Sequence, residues 1–478
     1  MITPAFNLSP SSPTHPVAMN DNPLPRRSFV AATTAAAATS LAPRTSAATN
    51  DKINVGFIGY GLIGKRHVLD FRDQPDVNIV AVAECHQGRL DEAKNLIGNN
   101  VRGYSDFRKL LDDQEIDAVV ISTPDHWHAL MTILACAAGK DVYVEKPLTL
   151  FPAEGQWMID VAKKHKRVVQ VGTQQRSGLH YRRAKELIEN GHIGKIVSVR
   201  AQANRNIMPG FGNPPDSEPP AGFDWNMFLG PAPQRPYNPG RGVYHFRWHW
   251  DYSGGQMTNL GQHSLDIVDW ILGPLTPKSV ASFGGRFALG SGGETPDTQD
   301  AIFDFPGLTA AWSHREAAQG ETATGSGLVF HGTKGSLSIS RSGFTVTPDR
   351  AIHPDNAVPQ FTDGQPIGGV SRIEEPGEPK TWTTAITDKS GDSADQFRRH
   401  VRNFLDCLRT RQTPISNLAS AHRVSTLCHL ANASLRLGRS LQWDAKQQIV
   451  INDPAAATIL NRPYRAPWDA ELRAALRT

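Results

Sequence analysis

A glycine-rich turn at residues 59–64 constrains this chain more than any other stretch. The apolar run Ile53–Ile58 passes through Gly59-x-Gly61-x-x-Gly64 into a helical pattern. In a strand–turn–helix unit, Gly59 permits the turn, Gly61 lets backbone approach a phosphate, and Gly64 lets the helix pack close to the strand. The free N–H groups of the helix then face the anion. The turn therefore predicts a dinucleotide site, with a purely structural tight turn as the alternative.

The sequence around this turn alternates short apolar strands with helical patterns up to residue 171. Repeated units of this kind predict a doubly wound parallel sheet, a Rossmann domain, with helices on both faces. The predicted strands are Ile53–Ile58, Asn78–Glu84, Asp117–Ser122, Asp141–Glu145 and Val168–Val171, with Val101–Gly103 as a weaker candidate. The predicted helices are Leu62–Phe71, Arg89–Leu96, Asp106–Leu111, His128–Ala138 and Ala153–Lys164.

Glu84 ends the second predicted strand, at the distance from the glycine turn where an acidic residue binds the adenosine ribose. A carboxylate there suits the two hydroxyls of NAD and repels the 2′-phosphate of NADP, although Arg89 is close enough to leave NADP open. The alternative for Glu84 is an exposed strand-end charge. Thr123 and His126 follow another strand and are predicted to reach the cofactor, unless Pro124 only forms a capping turn. The predicted cofactor contacts are Gly59, Gly61, Leu62, Ile63, Gly64, Glu84, Arg89, Thr123, Pro124, His126, Glu145 and Lys146.

Beyond residue 173 the pattern changes to alternating strands with turn signals, which predict a mostly antiparallel open sheet with helices on one face. The predicted strands are Lys195–Arg205, Ser279–Phe287, Ala301–Phe305, Leu308–His314, Gly327–Gly332 and Ser336–Ser340. The predicted helices are Leu179–Asn190, Gly255–Leu272, Asp395–Arg411 and Asn417–Leu437, and residues 206–245 and 350–390 are irregular. We expect a Rossmann domain at 49–172, an α+β substrate and oligomerisation domain at 173–452, and a tail at 453–478.

Residues 1–48 have the order of a twin-arginine export signal. Arg26 and Arg27 precede the alanine-rich run Val30–Leu41, and small residues follow to Ala48. This order predicts export to the periplasm, with a disordered basic tail as the alternative and Met19 as a second possible start. No other stretch is long and apolar enough to span a membrane.

Charge and cysteine content exclude several classes of function. The net charge of +4 gives no argument for nucleic-acid binding. The four cysteines are far apart and form no C-x-x-C pair, so neither a zinc nor a redox motif is present. No metal site is predicted, because three histidine-containing pairs lack a third ligand at a familiar spacing. These pairs are His126 with His128, His245 with His249, and His263 with Asp266.

Lys146 is the first candidate for chemistry. It follows the predicted strand Asp141–Glu145, at the sheet edge where open α/β sheets bind ligands. Oxidising an alcohol requires removal of the hydroxyl proton as hydride leaves, and lysine can accept it if burial and a nearby nicotinamide cation lower its pKa from about 10.4. Pro147 would stiffen the turn that aims it. The alternative is a surface lysine at a strand end.

The predicted helix Gly255–Leu272 offers a second candidate, His263. Asn259, His263, Asp266 and Trp270 share one helical face. His263 would share proton transfer or bind a substrate hydroxyl, and the alternative is an ordinary packed or exposed histidine.

An aromatic group just upstream of that helix has two interpretations. Its rings could stack on sugar rings around Arg247, or form the alternating face of a strand, which is the simpler interpretation. The aromatic residues are Tyr244, Phe246, Trp248 and Trp250.

In combination, these motifs resemble the Gfo/Idh/MocA oxidoreductases, which include glucose–fructose oxidoreductase and inositol dehydrogenases. The resemblance covers Ile53–Trp443 and is strongest to exported bacterial members. It rests on the glycine turn, Thr123–His126, Glu145–Pro147, Gly172–Ser177, Leu229–Pro233 and the Gly-Gly…Gly-x-His pattern that ends at His263.

The resemblance implies that Lys146 contacts the nicotinamide ribose and the substrate, and that His263 is the proton-transfer residue. The family usually has an aspartate four residues before that histidine, whereas this chain has Asn259, which cannot exchange a proton. We take these three residues as the predicted catalytic group. The predicted substrate contacts are Gln174, Arg176, Arg247, Asn259 and His263. The resemblance also implies a homodimer or homotetramer.

The sequence therefore predicts an NAD-dependent oxidoreductase that acts on a hydroxyl of a sugar, cyclitol or glycoside. A periplasm offers no obvious free NAD pool, so a tightly bound, recycled cofactor is expected. Two alternatives stay open. One is an NAD-dependent enzyme that cleaves glycosides by oxidation and elimination, and the other is a non-catalytic sugar or dinucleotide sensor.

Overall fold

The computed structural model describes residues 52–98, 100–290, 292–320, 326–351 and 380–477. The predicted export signal at 1–48 lies outside these ranges, as does most of the predicted irregular stretch 350–390. Within the described ranges, none of the helices combines the length and apolar character that a membrane crossing needs.

The N-terminal domain is the predicted doubly wound parallel sheet. Its six strands within the described residues have the order β3-β2-β1-β4-β5-β6, the order of a Rossmann domain. The strands are β1 (Ile53–Ile58), β2 (Val77–Ala83), β3 (Arg102–Tyr104), β4 (Ala118–Ile121), β5 (Asp141–Val144) and β6 (Val169–Val171). The helices are α1 (Leu62–Arg72), α2 (Gln87–Ile97), α3 (Phe107–Leu111), α4 (Asp125–Ala137) and α5 (Pro152–Lys164).

The register of this sheet sets the position of the site. Strands β4 and β5 are buried at every position, because helices cover both faces of a parallel sheet. Ladder hydrogen bonds join Gly59 N to Ala83 O at 2.9 Å and Ser122 N to Ile58 O at 2.9 Å. The carboxyl ends of β1, β2, β4 and β5 therefore meet at one edge, with Glu145 N bonded to Ile121 O at 3.0 Å.

The C-terminal domain is built on a ten-stranded sheet of the described residues, in the order β14-β13-β12-β11-β7-β10-β9-β8-β15-β16. The strands are β7 (Ile196–Asn204), β8 (Ser279–Gly285), β9 (Thr298–Phe305), β10 (Leu308–Arg315), β11 (Ser326–Gly332), β12 (Gly335–Ser340), β13 (Gly343–Pro348), β14 (Ile386–Asp388), β15 (Leu441–Asp444) and β16 (Ile449–Val450). The α-helices are α6 (Leu179–Glu189), α7 (Trp225–Leu229), α8 (Gln262–Leu272), α9 (Ser393–Thr410), α10 (Leu418–Leu437), α11 (Pro454–Ile459) and α12 (Trp468–Arg477).

This second sheet confirms the predicted mostly antiparallel fold with helices on one face. Only β7 and β10 pair in parallel among its described strands. Burial alternates along β9, where Phe303 is fully buried and Ile302 is 54% exposed. One face therefore packs against α6, α8 and α10, and no helix of the described residues packs on the opposite face.

Several segments differ from their predicted form. Helix α7 lies within the predicted irregular stretch 206–245, and strand β14 lies within the predicted irregular stretch 350–390. The aromatic run at 244–250 forms a 3-10 helix, His245–Trp248, so the strand interpretation was wrong. Local hydrogen bonds such as His249 N to Phe246 O, at 3.1 Å, close its turn, and the Phe211 ring packs against Trp248. Residues 453–478 contain α11 and α12, and Trp468 of α12 is buried against the Rossmann domain, with its ring centroid 4.8 Å from that of Trp127.

Candidate active site

The glycine turn has the geometry of an anion cradle. Gly59 has φ +89°, and a Cβ there would meet the Ser122 backbone at 3.0 Å. A Cβ on Gly64 would lie 2.4 Å from the Gly59 carbonyl oxygen, so close packing of α1 on β1 requires glycine. A Cβ on Gly61 would meet nothing within 4 Å, so the backbone is open to an approaching phosphate. The turn therefore fits a dinucleotide pyrophosphate at the N-terminus of α1.

Glu84 lies at the end of β2 in the same groove, with a fixed carboxylate. Its Oε2 accepts a hydrogen bond from Tyr60 N at 2.8 Å, and its Oε1 accepts one from His86 N at 3.0 Å. Arg89 also lines the groove, and the described residues give its side chain no hydrogen bond or ion pair. The groove thus presents an anchored acid and an unpaired cation to the ribose end of a dinucleotide.

The opposite wall of the groove comes from residues 206–250, here called the covering segment. The side chains that it contributes are Phe223, Met227, Phe228, Val243, Tyr244, Phe246 and Arg247. The Arg247 guanidinium lies over the rings of Tyr244 and Phe246, at 4.9 and 4.6 Å from their centroids. Arg247 therefore lies at the groove, together with Gly61, Leu62 and Ile63 of the glycine turn.

His126 anchors the covering segment from below and does not line the groove. Its Nε2 donates to Phe228 O at 2.9 Å, and Trp127 Nε1 donates to the same oxygen at 3.0 Å. Burial lowers the pKa of His126 to about 4, so it is neutral at physiological pH. Of the predicted contacts in this motif, Thr123 and Pro124 line the groove, whereas His126 supports it.

Glu145 is a buried support for Lys146. Its Oε1 accepts hydrogen bonds from His67 Nε2 and Gln174 Nε2, both at 2.7 Å, and its Oε2 accepts from Lys146 N at 3.1 Å. Burial alone would raise the pKa of Glu145, but the hydrogen bonds from His67 and Lys146 N, together with the charges of His67 and Lys146, hold it below its ordinary value. The predicted substrate contact Gln174 is thus occupied by Glu145, and only 2% of Gln174 is exposed.

The Lys146 amine lies between the two domains and contacts a predicted partner. Nζ donates to the Asn259 backbone oxygen at 3.0 Å and to its Oδ1 at 2.9 Å. Burial, opposed by Glu145 and assisted by Arg247, lowers the pKa of Lys146 to about 8. A substantial neutral fraction of this amine is therefore present near physiological pH.

His263 completes the predicted catalytic group. Burial lowers its pKa well below the ordinary value, and the charges of Lys146 and Arg341 lower it further. Its Nδ1 is buried without a hydrogen-bond partner among the described residues. A neutral imidazole with an unsatisfied nitrogen is therefore close enough to Lys146 to feel its charge.

Arg176, a predicted substrate contact, is fully committed to protein partners. Its Nε donates to Asp266 Oδ2 at 2.8 Å and its Nη2 to Asp266 Oδ1 at 2.6 Å. Nη1 also donates to Ile415 O and Ser420 Oγ, both at 3.1 Å. Both partners of the ion pair are buried, so we assign Arg176 to positioning α8 rather than to binding substrate.

A π-helical turn, Met257–Gly261, precedes α8 and sets the position of Asn259. Such turns insert an extra residue into a helix and are frequent at functional sites. The predicted single face of the helix is consequently divided, because Asn259 reaches Lys146 while Asp266 reaches Arg176.

Four polar residues that are linked to Lys146, by their charge or through a series of hydrogen bonds, were not selected from the sequence. Asp125 is buried and accepts a hydrogen bond from Ser253 Oγ at 2.5 Å, although it lies inside the quoted Thr123–His126 motif. The others are Arg341, Gln256 and Glu316, and no local pattern marks them. In the part of the chain that the structure describes, no group of three or more His, Cys, Asp or Glu side chains is placed to hold a metal ion.

Fold and site together define a two-domain protein with a dinucleotide-binding Rossmann domain and a lysine at the domain junction. The chain belongs to the Gfo/Idh/MocA oxidoreductase family. The family's NAD-binding Rossmann fold matches residues 53–173, and its C-terminal alpha/beta domain matches residues 178–281 and 384–470. This match confirms the family that the motifs indicated.

Curated relatives include dehydrogenases. The inositol 2-dehydrogenase of Salmonella typhimurium is 30% identical over 34% of this chain and 49% of its own length. The chain thus spans about half the length of the inositol dehydrogenases that it matches. The levoglucosan dehydrogenase of Pseudarthrobacter phenanthrenivorans is 28% identical over 60% of this chain and 73% of its own length. The solved structure of a levoglucosan dehydrogenase with NADH and levoglucosan shares the fold, with a TM-score of 0.61 at 20% identity over 84% of this chain and 100% of that one.

Proposed function

We propose that this protein is an NAD-dependent oxidoreductase that transfers hydride between a nicotinamide cofactor and a hydroxyl-bearing carbon of a sugar, cyclitol or glycoside. The observation that carries the proposal is the Lys146 amine, held by Asn259 at the carboxyl end of β5 with its pKa lowered to about 8. The names of the relatives that act on inositol and levoglucosan support the substrate class.

The chain's own residues would divide the work in a simple way. A bound nicotinamide cofactor would supply the hydride acceptor for the substrate carbon. The neutral Lys146 amine accepts the hydroxyl proton, and the two oxygens of Asn259 aim that amine. Neutral His263 either accepts a hydrogen bond from the same hydroxyl or a neighbouring one, or donates a hydrogen bond to it.

Glu84 supports NAD as the cofactor. Its carboxylate is fixed by two backbone N–H groups in the groove, so a 2′-phosphate would meet a negative charge that cannot move away easily. Arg89 favours NADP, because its positively charged side chain lines the same groove as Glu84.

We also propose that the protein is exported through residues 1–48 and retains a recycled cofactor in the periplasm. The support is the Arg26-Arg27 sequence and the apolar run that follows it. A homodimer or homotetramer through the C-terminal domain is proposed on the resemblance to the family. The exposed apolar side chain of Ile302 on the sheet face opposite the helices supports such contacts.

Cofactor identification and a substrate panel test the function together. Purified protein is denatured and the supernatant is assayed for NAD and NADP. Native protein with added NAD is then given sugars, cyclitols and glycosides, and reduced nicotinamide and released aglycone are measured separately. Reduction without cleavage supports the proposal. Cleavage without net reduction indicates glycoside elimination, and binding with neither indicates a sensor.

A further inference from the structure

A chain of four side chains leads from the Lys146 amine into the core of the C-terminal domain. Lys146 Nζ donates to Asn259 Oδ1 at 2.9 Å, and Asn259 Nδ2 donates to Gln256 Oε1 at 3.0 Å. Gln256 Nε2 in turn donates to Glu316 Oε1 at 3.0 Å. Gln256 and Glu316 are each 1% exposed, so water does not compete for these bonds.

Glu316 sets the direction of every bond in this chain. Its carboxylate accepts from Arg205, with which it forms an ion pair, and from Trp248 Nε1 at 2.7 Å. An ionised carboxylate can only accept, so Gln256 must turn its Nε2 toward Glu316 and its Oε1 toward Asn259. Asn259 must then turn Nδ2 toward Gln256, which leaves Oδ1 for the lysine.

We propose that Gln256 and Glu316 are positioning residues that hold Asn259 as a neutral hydrogen-bond acceptor for the Lys146 amine. The inference rests on the proposed function for its consequence in catalysis, and on the four contacts for its geometry. An aspartate at position 259 would set a second acceptor against Gln256 Oε1, and no proton would lie between the two oxygens.

The charges around Lys146 show why a neutral acceptor matters. Glu145 and Asp125 favour the charged amine, whereas Arg247 and Arg341 disfavour it, and the nearby imidazole of His263 is neutral. A further carboxylate at position 259 would tip this balance toward the ammonium ion. An opposite charge at hydrogen-bond distance raises the pKa of a lysine by about 1–3 units. The amide keeps the amine both aimed and available as a base.

The same carboxylate joins the lysine to the covering segment. Trp248 belongs to that segment and donates to Glu316 Oε2, while Gln256 uses Oε1. One buried group, the Glu316 carboxylate, therefore sets both the position of the covering segment and the direction of the Asn259 amide.

A double-mutant cycle between positions 256 and 259 tests this inference. Gln256→Met removes the partner of Asn259 without a large change in volume, and Asn259→Asp supplies a charged acceptor. Each single variant is expected to lower kcat/KM by about tenfold or more, because Gln256→Met leaves the Asn259 amide without a fixed direction and Asn259→Asp sets a carboxylate oxygen against Gln256 Oε1. In the double variant nothing opposes the aspartate, so the plateau of kcat/KM at high pH recovers toward wild type, while the acid limb of the profile moves up by about 1–3 pH units. Additive losses would overturn the inference.

A labelling measurement decides the point without turnover. The reaction of Lys146 with an amine-directed reagent is followed against pH by peptide mass spectrometry. The labelling pKa is expected to rise by about 1–3 units in the double variant. If no carbohydrate is oxidised, the proposed function fails, but the labelling still tests whether the hydrogen bonds from Glu316 to Lys146 position the amine. If Gln256→Met does not fold, Asn259→Asp alone must raise the labelling pKa and lower turnover, and no change in either contradicts the proposal.

The matched control is Gln299→Met. Gln299 is a fully buried glutamine that donates to Ser282 Oγ at 3.0 Å and to Asn432 Oδ1 at 3.3 Å, and neither partner is one of the four hydrogen-bonded residues Lys146, Asn259, Gln256 and Glu316. Its variant is expected to keep the acid limb and the Lys146 labelling pKa of wild type. A shift there as large as in the 256 and 259 variants would mean that general loosening of the core moves the lysine, against the inference.

Discussion

Replacing Arg176 by methionine separates a structural role from a substrate-binding one. The change leaves Asp266 buried without its bidentate partner and also removes the bonds to Ile415 O and Ser420 Oγ. Breaking a buried pair from one side costs about 3–5 kcal/mol. Unfolding entropy is about 2.1 cal/mol/K per residue, so for 478 residues 1 kcal/mol corresponds to about 1 °C in Tm. Arg176→Met should therefore melt about 3–5 °C below wild type.

The charge of Asp266 gives this prediction a pH signature. Burial already raises the pKa of Asp266 against the opposing effect of Arg176, and removal of Arg176 raises it further. A raised acid pKa means that the folded state loses stability as the pH rises through it. The drop in Tm caused by Arg176→Met should thus be smaller at pH 5 than at pH 8.

Differential scanning calorimetry at the two pH values measures both effects. Adding Asp266→Leu should restore most of the Tm, because both buried charges are then gone. Arg183→Met is the control, since that arginine is 56% exposed and pairs with Asp388 at the surface. An Arg176→Met protein that melts like wild type but shows a raised substrate KM would refute the assignment and restore Arg176 to the substrate site.

Three further predictions follow from the groove and the lysine. Because Lys146 must be neutral to accept a proton, kcat/KM for oxidation should rise with pH and level off above about 8, as a pH–rate profile will show. Glu84→Gln should lower the ratio of the Kd for NADP to the Kd for NAD by about tenfold, as fluorescence titration will measure. Gly61→Ala, which has open space, should weaken NADH binding with little change in Tm. In Gly64→Ala the added Cβ would clash with the Gly59 carbonyl oxygen, so this variant should lose both NADH affinity and Tm.

The parallel half of the site was predictable because its geometry follows from strand order. Once Glu84 and Lys146 are placed at the ends of parallel strands, they must lie at one edge with the glycine turn. The structure of the covering segment was harder to predict from the sequence, because the alternation of Tyr244, Phe246 and Trp248 also fits a strand. Its 3-10 turn depends on ring contacts with Phe211, which lies more than 30 residues earlier in the sequence.

The hydrogen-bond partners of the site residues could not be predicted from local sequence patterns. Arg176 meets Asp266 across 90 positions of sequence and Gln256 meets Glu316 across 60, and neither pair has a periodicity that marks it. The π turn at Met257–Gly261 also divides a face that a regular helix would have kept together. Sequence reasoning thus selected Lys146 and His263 as candidates, but it did not reveal the buried contacts around Lys146.

The most direct test of the central claim is hydride transfer by Lys146→Met under single-turnover conditions. Reduced nicotinamide is followed by absorbance after wild type or variant, saturated with NAD, is mixed with the best substrate of the panel. We expect the rate constant to fall by about 10²–10⁴-fold, and NADH binding to change by no more than about tenfold. A variant that transfers hydride at the wild-type rate would contradict the account, because the proton would then leave by a route that does not involve this amine.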